Sequence, residues 1–157
     1  MNLLRVLLAE QGLRPRFVPL ESYEAAPTCD DVLLIGNPAL EFLRKGSDHA
    51  IWDLGSAWQE STGLPFTYAL WAIRDGVEAG PLVATLTQVA RDGLARLPEL
   101  IRGSSDFDLP LRQAYVGGHI QHQVDDLARQ GVDRFAELMA RHTGRRVYPV
   151  RWVDGVR

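Results

Sequence analysis

The sequence predicts an α/β first half joined to a mostly helical second half, on three observations. Asp31-Val32-Leu33-Leu34-Ile35-Gly36 is a continuous apolar run closed by glycine, the pattern of a strand buried on both faces. Phe66-Thr67-Tyr68-Ala69-Leu70-Trp71-Ala72-Ile73 is a second such run. From Gly80-Pro81 onward the texture becomes helical almost to the end.

In order along the chain, Leu3, Leu4, Leu7 and Leu8 share one face of a helix over about residues 2–11, and Gly12 reads as its stop. Arg16-Phe17-Val18-Pro19-Leu20 reads as a short strand, with Pro19 marking an edge or an ending. Residues 21–30 read as a polar connection. After Gly36, Asn37 is a strong N-cap and Pro38 suits a first helical turn, so the unit is strand, tight turn, helix. Residues 52–61 predict another short helix, with Asp53 either its cap or a free acid, stopped around Thr62-Gly63. The helical pattern from 80 to about 102 is interrupted at Gly93 and Pro98. Asp108 and Pro110 open a helix to about 129, and Gly131 separates a last one over 132–142. Residues 147–153 read as a terminal strand or an extended tail.

The chain has 157 residues, with 17 Lys+Arg against 20 Asp+Glu and a net charge of −3. That balance, without a basic stripe, argues against a nucleic-acid partner. No apolar run approaches a membrane span. The apolar N-terminus is broken by Arg5 and Glu10, which suits an amphipathic helix better than a signal-peptide core. A single cysteine excludes an internal disulfide framework and suits a cytoplasmic setting. Acidic neighbours Asp30 and Asp31 oppose a thiolate at Cys29, so it is not read as a nucleophile.

Two corners carry candidate chemistry. Gly36-Asn37-Pro38 ends a predicted strand at a helix N-terminus, where free N–H groups suit a carboxylate or phosphate. The plainer alternative is that Asn37 only caps the helix. Thr62-Gly63-Leu64-Pro65-Phe66 joins a helix to the second apolar run, with a hydroxyl at Thr62. Its plainer reading is a helix stop followed by a strand. His119 and His122, with Asp126 a turn further on, have helical spacing that a metal site could use; exposed or capping histidines explain them more simply. His142 suits a helix C-terminus, and His49 reads as exposed. Trp52, Trp58, Trp71 and Trp152 could line a pocket, but packing is the commoner role, and Trp71 in particular reads as core.

Two segments go further. Leu34-Ile35-Gly36-Asn37-Pro38-Ala39-Leu40 and Trp52-Asp53-Leu54-Gly55-Ser56-Ala57-Trp58-Gln59-Glu60-Ser61-Thr62-Gly63-Leu64-Pro65-Phe66, followed by Ala69-Leu70-Trp71-Ala72-Ile73-Arg74, resemble the MqnA family of menaquinone biosynthesis, the chorismate dehydratases of the futalosine route. More loosely, 131–138 resembles the family's last helices. Asn37 stands where the family pattern usually has Asp.

The resemblance implies an incomplete α/β fold of the periplasmic-binding-protein type II kind. Residues 1–65 would form part of the second lobe, and 66–157 the hinge strand and C-terminal helices of the first. It implies loss of water from chorismate to give 3-[(1-carboxyvinyl)oxy]benzoate, with no metal and no cofactor. Gly36, Asn37, Pro38, Thr62, Leu64, Pro65 and Phe66 would touch the carboxylate substrate. The family's opening segment has no counterpart here, so its catalytic residues are not carried over. A chain inactive alone is therefore expected, partnered by a second copy or a complementing N-terminal half. Without such a partner the chain is expected to dimerise or aggregate through its apolar strand. The alternative is a non-enzymatic module of the solute-binding-protein fold that binds small carboxylates.

Overall fold

The computed structural model describes residues 1–153, and among these residues the chain is helical. Its helices are α1 (Asn2–Glu10), α2 (Asn37–Lys45), α3 (Leu54–Thr62), α4 (Ala79–Ala95), α5 (Leu97–Gly103), α6 (Leu109–Ala114) and α7 (Asp126–Thr143). A 3-10 turn covers Tyr23–Thr28 and a π turn covers Tyr115–His119.

The expected sheet does not form, and this corrects the α/β, periplasmic-binding-protein-like reading. None of 16–20, 31–36, 66–73 or 147–153 is a strand. A strand exists only when a neighbour completes its ladder. Apolar composition supplied the propensity in these runs, but the described chain offers them no such neighbour. Trp71, expected in the core, is 67 % exposed as a result.

The helices follow the sequence more closely. Gly12, at φ 77°, ends α1 as expected. Its N–H reaches the Ala9 carbonyl and that of Leu13 reaches Leu8, the paired bonds of a Schellman stop. Arg96 separates α4 from α5, with Pro98 in the first turn of α5 and Gly93 inside α4. The helix expected from 108 to 129 instead passes from α6 into the π turn, leaves helical structure after His119 and resumes only at Asp126. Gly131, expected to separate two helices, is buried inside a continuous α7. A lone glycine costs a helix only about 1 kcal/mol, which the burial of Leu138 and Met139 outweighs.

The chain divides into two compact units. The first comprises residues 1–66 and 134–148. Its core is Leu3, Val6 and Leu7 of α1, Trp58 of α3, and Leu138 and Met139 of α7. Trp58 meets Phe66 and Phe135 edge to face at 5.5 and 5.8 Å, and those two rings meet at 5.0 Å. This arrangement suits the ring quadrupoles. The second unit comprises, among the described residues, 67–133 and 149–153. There α5 packs on α6 and the π turn, and Ile101 and Ala128 are the buried apolar side chains among the described residues. Arg112 ties this unit locally by donating to the carbonyls of Ile101 and Ser104.

Candidate functional site

The first corner is built by Gly36. Its backbone, at φ 70° and ψ −143°, is open to glycine and strained for other residues, and it turns the chain into α2. Gly36, not Asn37, is therefore the N-cap. Its carbonyl accepts from the amides of Ala39 at 3.0 Å and Leu40 at 3.2 Å. Pro38 has no N–H, so Asn37 supplies the free amide of this first turn. The corner is a thinner anion cradle than a helix N-terminus usually offers. The exposed Asn37 carboxamide, however, is unengaged by other described residues.

The second corner is firmly built. Asp53 caps α3, accepting from the Ser56 amide at 2.7 Å, which settles its role as a cap. At the other end Gly63 takes the left-handed conformation, φ 72°. The Thr62 hydroxyl donates to the Trp58 carbonyl at 2.8 Å and accepts from the Leu64 amide at 3.2 Å. Its proton is thus committed to the turn. Leu64 and Pro65 are half-buried, and Phe66 packs edge to face with both Trp58 and Phe135. Gly36, Asn37 and Pro38 therefore stand at the start of one helix, and Thr62, Leu64, Pro65 and Phe66 at the finish of another.

Other candidates settle into structural roles. The His119–His122 stretch leaves the helix: His119 ends the π turn, and an His122 ring nitrogen lies 2.9 Å from the Val116 carbonyl. Among the described residues no cluster of three or more His, Cys, Asp or Glu side chains could hold a metal. His49, expected to be exposed, is half-buried. Its ring nitrogens contact Ser47 Oγ and the Cys29 carbonyl, both at 2.7 Å, and its ring meets Phe42 edge-on. Two carboxylates titrate low, both away from the corners. Glu24 is lowered mainly by a backbone hydrogen bond in the 3-10 turn, and Glu137 mainly by its bond to Arg134.

Sequence reasoning missed one gathering of side chains, the cleft between the ends of α1 and α7, where Arg5, Arg14, Arg145 and His142 meet. Arg14 and Arg145 lie at nearly opposite ends of the chain, so no local motif announces them.

These features define a helical protein of two compact units whose corner segments sit at helix ends. The menaquinone biosynthesis family matches residues 1–141, and the chain belongs to that family. A chorismate dehydratase of Thermus thermophilus is 29 % identical over 94 % of this chain. The chain spans 61 % of that relative's length. No solved structure matches. No helix among the described residues is long and apolar enough to cross a membrane.

Proposed function

We propose that this chain serves menaquinone biosynthesis as a chorismate dehydratase, a carbon–oxygen lyase acting on a small carboxylate. The observation that carries the reading is the family match over residues 1–141, which takes in both corner segments. The likeness to a chorismate dehydratase supports the choice of substrate class.

In this reading the Asn37 carboxamide and amide orient a polar group of chorismate, with Gly36 and Pro38 shaping the approach. Leu64 and Pro65 supply apolar wall. Thr62 and Phe66 act by holding the second corner in shape, since the hydroxyl and ring are already engaged within the chain.

The test is incubation of the purified chain with chorismate, alone and with the unmatched part of the Thermus relative added. Mass spectrometry follows the product that has lost one water, and calorimetry follows binding. The expected result is chorismate binding that Asn37→Ala weakens, with product formed in at least one arrangement. Binding without product in either arrangement would favour a carboxylate-binding module instead. Absence of both binding and product would overturn the reading altogether.

A further inference from the structure

We propose that the cleft between the ends of α1 and α7 binds a small organic anion: a carboxylate or phosphate group carried on an apolar, flat body. The cleft encloses about 260 Å³ within the first unit. Three guanidinium side chains, Arg5, Arg14 and Arg145, line it, together with the imidazole of His142. Among the described residues none of the three arginines is paired with a carboxylate. Arg5 lies over the Phe17 ring, 4.1 Å from its centroid, and makes one long contact to the Met1 sulfur. Arg14 donates to the His142 carbonyl at 3.3 Å. The Arg145 guanidinium has no partner among the described residues.

The Glu10 carboxylate meets His142 Nε2 and forms no ion pair with any of the three. Cations do gather at helix C-termini to meet the last carbonyls. That accounts for Arg14, but not for the other two. The Leu8 and Ala9 carbonyls of α1 already accept backbone amides, and the Met139 carbonyl of α7 accepts the Thr143 hydroxyl. Arg5 and Arg145 are therefore unspent on the helix ends.

A guanidinium carries five donors in a planar fork matched to the two oxygens of a carboxylate or phosphate. Like charges confined in one concavity also concentrate an anion there. Ala9, Leu13, Pro15 and Phe17 give the cleft an apolar side, and the remaining residue, Thr143, has its hydroxyl proton on the Met139 carbonyl. A ligand for this cleft thus needs an oxyanion at one end and an apolar face at the other. The inference does not depend on the dehydratase reading, since none of the corner residues lines the cleft.

The experiment titrates the 157-residue chain, in low-salt buffer, with benzoate, phenyl phosphate and the neutral benzyl alcohol, followed by calorimetry and amide chemical shifts. At least one of the two anions should bind saturably, with shifts centred on Leu13, Arg14 and Thr143, and the neutral alcohol should bind about tenfold more weakly or not at all. Whichever anion binds more tightly identifies the headgroup. Arg145→Gln should weaken that anion about tenfold without lowering the melting temperature, and Arg145→Lys should restore part of the loss. Arg91→Gln, the same charge change on exposed α4, should leave binding unchanged. Benzyl alcohol binding as well as both anions, no saturable binding by either anion, or equal losses in the Arg145 and Arg91 variants would each overturn the proposal.

Discussion

The two compact units use similar helices but reach very different interiors. In the first, α1, α3 and the later turns of α7 come from distant parts of the sequence and close over Val6 and Trp58, both wholly buried. In the second, helices adjacent in sequence pack on one another, and much apolar surface stays in water. Tyr68 is 72 % exposed and Leu82, Val89 and Leu100 are exposed as well. Periodicity is enough to make a helix, but a core needs apolar faces that find each other. Long-range closure supplies that in the first unit. The second relies more on local ties such as Arg112 on the Ile101 and Ser104 carbonyls.

The largest blow to this contrast is Trp58→Ala. It should destabilise the first unit by about 3–5 kcal/mol, a large share of a typical domain's stability. Urea denaturation, with amide exchange in α1 and α3, would register it. Trp58→Phe should cost far less than that, for a reason beyond size. The buried Trp58 indole N–H has no hydrogen-bond partner among the described residues, and its removal relieves a desolvation penalty. If the two variants cost the same, the N–H has a partner after all.

Next in size is Arg112→Met. Losing charge-assisted bonds to carbonyls costs about 1.5–3 kcal/mol, and here the loss should stay local. Exchange should quicken across α5 and α6 and leave α1 untouched.

A matched pair of caps sharpens the comparison. Asp53 accepts from Ser56 at the start of α3, and Asp108 from Leu111 at the start of α6. Each changed to Ala should cost about 1 kcal/mol. Asp53→Ala should lower the cooperative melting temperature, whereas Asp108→Ala should only loosen its own helix.

Trp71→Ser should have the smallest effect on stability, within about 0.5 kcal/mol, because the ring is already in water. Its expected effect is on association: sedimentation at micromolar concentration should show less self-association than the native chain.

The helices were legible because capping and stop signals act locally: Gly12 after α1, Asp53 before α3, Pro98 in the first turn of α5. The strands were misread because apolar runs such as 31–36 and 66–73 state what a segment would bury but not whether a partner is present. Asn37 lost its expected capping role to Gly36 because a positive φ one residue earlier had already turned the chain. In the corner segments the residue pattern was readable, but not the commitment of the Thr62 hydroxyl and Phe66 ring to the second corner. The arginine cleft was invisible, since Arg5, Arg14 and Arg145 converge only when α1 meets the end of α7.

The four tryptophans also give the molecule built-in optical probes. Trp58 alone is sealed from water, whereas Trp52 and Trp71 are exposed and Trp152 lies half-covered beneath Arg129. Indole emission shifts to longer wavelength as water reaches the ring, and a soluble quencher reaches exposed rings first. Quenching should therefore remove the red part of the spectrum and leave the blue emission of Trp58. Loss of that blue component during denaturation would time the opening of the first unit without any attached label.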